Sequence, residues 1–212
     1  MHGSLETASA RGSVVSSGCR RTVGLAVAFV VTTVLAEMDA TRSLDQSLLE
    51  AAQSVANPSL DLVASLVSIL GQAEVTVPIA LALAVVWWRR EGTRGLVPLL
   101  VFSGVAVEVL MKYVVPHPGP PEGLSRGIHL PHLLRVDSPY SFPSGHLLRT
   151  AFLTALIGAR APYFAAGSLW AVVAAMAVTR VYLAEHWPSD VVGGLLLGWV
   201  LARVAVWFRE LR

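Results

Sequence analysis

APYFAAGSLWAVVAAMAVT, residues 161–179, runs for nineteen positions without a charged side chain. A helix that crosses a bilayer needs about 20 largely apolar residues, so this stretch reads as a membrane span. Five further apolar stretches lie around it: Thr22–Met38, Ala73–Trp88, Gly95–Val115, Phe142–Gly158 and Val191–Phe208. Each carries one or two polar or ionisable residues near an end or at a position that suits a site. The expected fold is therefore an all-α membrane protein, a bundle of about six transmembrane helices. Composition agrees. Hydrophobic residues make up 54% of the 212 and charged residues 14%, with a mean hydropathy of +0.62; soluble domains run near 45–50% and about 25%. A soluble globule, a disordered chain and a coiled coil are excluded. So is a disulfide scaffold, since Cys19 is the only cysteine.

The net charge of +2 does not make a nucleic-acid binder, because the 16 basic residues form no dense run. They report topology instead, since cytoplasmic loops collect Lys and Arg. With the N-terminus inside, the inner set is Arg11, Arg20, Arg21, Arg89, Arg90, Arg94, Arg160, Arg203, Arg209 and Arg212. The outer set is Arg42, Lys112, Arg126, Arg135, Arg149 and Arg180. Both termini are thus expected in the cytoplasm of a multi-pass plasma-membrane protein, with Trp87 and Trp88 anchoring one interface. Residues 1–21 are expected to form a disordered cytoplasmic tail, including His2, and 22–212 a single six-helix domain. A competing reading takes Arg20, Arg21 and the following apolar run up to Ala36 as a cleavable signal peptide; the other spans would keep their orientation.

Between the first two spans, Leu44, Leu48, Leu49, Ala52 and Val55 recur at helical spacing opposite Asp45, Gln46, Glu50 and Gln53. This is the pattern of an amphipathic helix lying on the membrane surface. Asn57 and Pro58 then form an N-cap with proline at the first helical position, starting a piece over Ser59–Leu70. That piece is either a half-span or continues through Gly71 and Gln72 into the second span. From Pro116 to Ser141, six prolines and three glycines exclude a continuous helix. This outer-face loop is a lid over a site or a plain connector.

Three polar clusters fall at the outer ends of different spans. At Pro143-Ser144-Gly145-His146, a helix start leaves backbone N–H groups free and adds the dipole's partial positive charge, which holds an anion. Glycine lets the anion approach closely, the Ser144 hydroxyl adds a donor, and His146 can move a proton at its edge. Arg180, His186 and Asp190 form the second cluster. Arg180 offers a planar fork for phosphate oxygens, and Asp190, in the first turn of a helix begun by Trp187 and Pro188, can orient one nitrogen of His186 while the other faces a substrate. Lys112, the only lysine, is the third: a phosphate-binding point charge, or an interfacial lysine paired with Glu108 one turn earlier. His129 and His132 lack partners at ligand spacing and read as solvated; Glu185 either tunes the pocket or faces water.

The chain resembles the phosphatidic acid phosphatase type 2 superfamily, whose pattern is Lys-x6-Arg-Pro, then Pro-Ser-Gly-His, then Ser-Arg-x5-His-x3-Asp. PSGH stands at 143–146 and TRVYLAEHWPSD at 179–190, with Thr179 for the usual Ser. The resemblance covers about Ser59–Phe208. It departs in the first motif, where Lys112 is followed six residues on by Gly119-Pro120 instead of Arg-Pro. His117 and Arg149 are the candidate replacements. Arg149 is favoured, since a charge that deep in a span should face the pocket.

The resemblance implies a lipid phosphate or diphosphate phosphatase that needs no metal or other cofactor. His186 would attack phosphorus, Asp190 would orient it, and His146 would protonate the leaving oxygen and then activate water. Lys112, Ser144, Gly145, Arg180 and Arg149 would bind phosphate. Its partners would be membrane lipids and a lipid phosphate or polyprenyl diphosphate such as undecaprenyl diphosphate, with no nucleic acid and no protein partner inferable. Alternatives are a lipid phosphotransferase using the same residues, or a six-span transporter with a degenerate site. A vanadate-dependent haloperoxidase is disfavoured, those relations being soluble.

Overall fold

A computed structural model describes residues 3–128 and 138–210, with the side chains of 3–17, 164 and 210 outside the description. His2, His129, His132, Arg135 and Arg212 lie outside the described residues, as does the Arg11 side chain. The helices are α1 (Gly3–Glu37), α2 (Arg42–Gln53), α3 (Pro58–Ile69), α4 (Ala73–Glu91), α5 (Leu100–Val114), α6 (Gly145–Gly158), α7 (Tyr163–Tyr182) and α8 (Pro188–Glu210), with a 3-10 stretch at Gly92–Leu99. Helix α1 carries the first expected span in its second half, Gly18–Glu37.

Among the described residues, four helical stretches are long and apolar enough to cross a membrane: Gly18–Glu37, Pro58–Val114, Ala165–Tyr182 and Pro188–Arg209. The second contains α3, α4 and α5; the expected second and third spans are α4 and α5, joined by the 3-10 stretch Gly92–Leu99 with Arg89, Arg90, Glu91 and Arg94 at the junction. The expected span Phe142–Gly158 is the 14-residue α6. It is short for a bilayer, but it is the central helix of the bundle, with ten residues buried, Leu147, Leu148, Ala151 and Phe152 completely so. Helices α7 and α8 pack on it, and α1 lies against α8. Gly194 and Gly198 on α8 meet the α6 backbone; a Cβ on Gly198 would stand 2.5 Å from the Leu148 carbonyl oxygen. In lipid, where apolar surface gains little from leaving the tails, such close backbone approach holds helices together. Outward-facing valines on α1 (Val23, Val27, Val30 and Val34, each at least 45% exposed) are the lipid-facing counterpart of this core.

The surface helix is present as α2, with one departure on its polar face. Leu44 and Leu48 are exposed while Asp45 is buried and accepts from both the Ser189 N–H (2.9 Å) and hydroxyl (2.8 Å). Gln53 donates to the Leu124 and Tyr182 carbonyls. Asp45 and Gln53, expected to meet water, are therefore spent on protein contacts, while Gln46 and Glu50 stay exposed. At α3 the Asn57 cap forms as read, its Oδ1 accepting from the Leu60 N–H at 3.0 Å. The segment does not continue: α3 stops at Ile69, and Leu70–Gln72 turn the chain before α4. A buried carbonyl freed at such a break needs a donor. Arg149 supplies it, with Nε and Nη2 on the Gly71 oxygen at 3.3 and 3.1 Å.

The two ends of the bundle differ in chemistry. At one end Glu91, closing α4, pairs with Arg160 before α7 (3.3 Å) and Arg209 near the end of α8 (2.8 Å), while Arg160 lies over the Trp87 ring. Lys112, Ser144, Arg180, His186 and Asp190 gather at the opposite end.

Candidate active site

His186 reaches its place because α7 ends abruptly. Ala184 takes a left-handed conformation (φ 53°), and the N–H groups of Glu185 and His186 both return to the Arg180 carbonyl at 3.2 Å. Such a φ costs an L-residue energy and persists where the surrounding contacts over-determine it. Pro188 then opens α8, with its fixed φ suited to a first helical position. Asp190, in that first turn, reaches back so that its Oδ2 accepts from the Trp187 N–H (2.9 Å) and faces Nδ1 of His186 at 3.3 Å. With the proton on Nδ1, the Nε2 lone pair is left for chemistry. Asp190 is fully buried and His186 only 6% exposed. Burial, followed by the nearby Arg180, Lys112 and Arg149 charges, holds the His186 ring well below its ordinary value and hence neutral. A neutral imidazole is the nucleophilic form.

The Pro-Ser-Gly-His stretch adjoins this turn, the Ser144 N–H donating to the Asp190 carbonyl at 3.0 Å. That bond spends one of the amides expected to meet an anion. The helix starts at Gly145 with Ser144 as its N-cap, two residues later than a proline-led start. The first-turn amides from Gly145 onward lack intrahelical partners by construction. Several side-chain atoms in the same region are buried without a hydrogen-bond partner among the described residues: Ser144 Oγ, His146 Nε2 and Arg180 Nε. Buried polar groups are rarely left so, and all three are groups a phosphate would satisfy. Arg180 is otherwise held by the Ser68 hydroxyl (2.7 Å) and Glu185 (3.5 Å). A cavity of about 60 Å³ beside it is lined by His146, Arg180, Ser65, Ser68 and Glu185.

The two proposed replacements for the missing arginine separate. His117 is buried behind Asp190, away from the phosphate groups. Its Nδ1 lies 3.0 Å from the Ala36 carbonyl, and its Nε2 lies 3.2 Å from Ser189 Oγ and 3.6 Å from Asp190 Oδ1. Burial lowers its proton affinity, opposed by the Ala36 carbonyl and the Asp45 and Asp39 charges. Arg149 does face inward, as expected, yet its donors are engaged by Gly71 and by Glu108 Oε2 at 2.9 Å. Lys112 pairs with Glu108 Oε1 at 3.0 Å, the interfacial-pair geometry the sequence allowed.

Sequence reasoning did not foresee Ser68, Gly71, Asp45 or Ser189 as supports. None carried a signal: even Asp45 sat on the polar face of an amphipathic helix, where an acid reads as solvated. The loop after α5 is tied down at several points. Arg126 pairs with Asp61 (2.9 and 3.2 Å), Trp187 Nε1 donates to the Pro118 carbonyl (2.8 Å), and the Ile128 N–H donates to Ser65 (3.1 Å). It is a wall of the site on its described residues.

The profile of the PAP2 superfamily matches residues 94–212, the half of the chain that carries Lys112, Ser144, His146, Arg180, His186 and Asp190. The chain belongs to the PAP2 superfamily. Over 202 residues it is 27% identical to phosphatidylglycerophosphatase B of Bacillus subtilis (strain 168), covering 89% of this chain and 94% of that one. A shorter match, 41% identical over 64 residues and 30% of the relative's length, is to an undecaprenyl-diphosphatase of Sulfolobus acidocaldarius. Among solved structures, the PAP2-type phosphatidylglycerolphosphate phosphatase of Bacillus subtilis superposes with a TM-score of 0.69 at 22% identity, covering 89% of this chain and 96% of that one. Aquifex aeolicus LpxE superposes at 0.62 and 18%, covering 77% and 94%. These two likenesses establish the membrane-phosphatase fold.

Proposed function

We propose that this chain, a membrane phosphatase of the PAP2 superfamily, hydrolyses lipid phosphates through a phosphohistidine on His186, at the extracytoplasmic end of a single membrane domain spanning residues 22–212. The observation that carries the reading is the Asp190 carboxylate on Nδ1 of a neutral, buried His186, with Arg180, Lys112 and Arg149 close enough to act on its charge. His186 Nε2 attacks phosphorus in line. Asp190 stabilises the charge that develops on the ring. His146 protonates the leaving oxygen, and its neutral form then takes a proton from the water that cleaves the N–P bond. Arg180, Lys112, Ser144, the Gly145 amide and Arg149 hold the equatorial oxygens, where charge accumulates in the transition state. These fixed cations perform the neutralisation, so the mechanism requires no metal.

The placement of positive charge supports the sidedness. Arg89, Arg90, Arg160, Arg203 and Arg209 belong to the end of the bundle opposite the site, and positive charge marks the cytoplasmic face. For substrate class, the relatives act on phosphatidylglycerophosphate and undecaprenyl diphosphate by name; the longer match favours a phosphate monoester of a glycerolipid. A panel of purified lipid phosphates and diphosphates in detergent, scored for released inorganic phosphate, tests this. Release from a glycerolipid monoester, abolished by His186→Ala in a folded protein, supports the reading. Unchanged release by that variant excludes the nucleophile.

A further inference from the structure

Glu108 is the one acid on α5, the helix that carries Lys112 near its end. Its two oxygens are divided between two cations already placed at the phosphate site: Oε1 lies 3.0 Å from Lys112 Nζ and Oε2 lies 2.9 Å from Arg149 Nη1. The carboxylate also lies directly on Gly145, the first residue of α6; a Cβ there would collide with both oxygens and the carboxyl carbon. An internal anion thus occupies the positive end of α6 and takes both flanking cations, which is the environment a substrate phosphate needs. A carboxylate and a phosphate share this chemistry: planar or tetrahedral oxygens that accept from ammonium, guanidinium and amide donors.

A counter-ion for Arg149 alone would not require this arrangement. Arg149 already has two bonds to Gly71, and Glu108 turns its second oxygen to Lys112, a residue at the bundle's end with no need of a buried partner. We propose that Glu108 is an affinity-setting residue of the phosphate site: its carboxylate competes with the substrate head for Lys112 and Arg149, so phosphate binds cations that are already partly neutralised. The role rests on the phosphatase reading above and deepens it. It keeps the phosphate group, and above all the more highly charged inorganic product, from binding too tightly to leave. At a site with little water, the effect of one charge is large, because screening is weak.

The test is binding of inorganic phosphate to the purified full chain in detergent, followed by calorimetry, which needs no turnover. Glu108→Gln removes the charge and keeps the shape, and its Kd for phosphate falls roughly tenfold or more. Glu108→Asp keeps the charge that balances Arg149 but withdraws it by a methylene, so that it cannot bridge both cations; its Kd falls by about threefold and serves if the glutamine variant does not fold. A Kd equal to or above the parent's in either folded variant overturns the proposal, leaving Glu108 as a brace that holds Lys112 and Arg149 in place. A parent that releases phosphate from lipid phosphates while the variants bind phosphate unchanged sinks only this inference. A parent that neither binds nor releases phosphate sinks the phosphatase reading and this inference together.

Discussion

Replacing Asp190 with Asn isolates the charge behind the nucleophile while preserving shape. In the parent, Oδ2 accepts from the Trp187 N–H at 2.9 Å and lies 3.3 Å from His186 Nδ1. An asparagine can turn its carbonyl to the same two donors, so the fold of the α7–α8 turn is retained. What disappears is the attraction between the carboxylate and the positive charge that appears on the ring when Nε2 bonds to phosphorus. For unit charges 3.3 Å apart at an effective dielectric constant near 20, that attraction is about 5 kcal/mol. Spreading the charge over the imidazole, at a mean separation of roughly 5 Å, reduces it to about 3 kcal/mol. The expected loss in kcat is therefore on the order of 10² to 10⁴, at about 1.4 kcal/mol per decade, with KM within a few-fold because the phosphate-binding cations are untouched. The assay is phosphate release from a lipid phosphate in detergent, with thermal unfolding monitored alongside. A folded Asp190→Asn protein that keeps kcat within threefold of the parent would refute the assignment of Asp190 as orienter.

Further expectations concern pH, Arg149 and metals. Because burial and the surrounding cations hold His186 neutral well below its ordinary value, the acid limb that His186 imposes on kcat/KM lies below pH 6.5; a limb from this residue above pH 7 contradicts the stated environment. The same shift contributes stability that is present above about pH 6.5 and is lost as pH falls through the folded value, since only the unfolded ring takes up the proton in that window. Arg149→Ala raises KM and lowers kcat, and it also lowers the unfolding temperature, because the Gly71 carbonyl and Glu108 lose their donor together; kinetics and melting both equal to the parent's would remove Arg149 from site and scaffold alike. Incubation with EDTA leaves phosphate release unchanged, and a loss restored by added Mg²⁺ would contradict a mechanism run by fixed cations.

Much of the fold was legible because hydrophobic length and charge position are one-dimensional signals. Residues 161–179 announced the span formed by α7, Tyr163–Tyr182, and Trp187-Pro188 announced the start of α8 that places Asp190. The site was legible for a related reason: His186 and Asp190 are four positions apart across a helix start, so their contact is local. What the sequence hid was long-range and polar. The break after α3 leaves a buried Gly71 carbonyl whose donor, Arg149, lies seventy-eight positions away. Asp45 looked solvated until Ser189, from the far end of the chain, came within 2.8 Å. His117 and Arg149 were both candidate stand-ins for a missing guanidinium, with Arg149 favoured for its depth in a span. Packing separates them, because Phe142 and Ser189 enclose His117 while Arg149 turns inward from α6. Each of the six expected spans corresponds to a helix, α1, α4, α5, α6, α7 and α8, and the 14-residue α6 is the short one, buried by its neighbours.

The central claim is that one imidazole becomes covalently phosphorylated, and rapid quench with a ³²P-labelled lipid phosphate measures it directly. The account predicts an acid-labile, base-stable label on the peptide containing His186, absent from His186→Ala and persisting longer in His146→Ala, where water is no longer activated. No protein-bound label during turnover, or label that survives in His186→Ala, would contradict it.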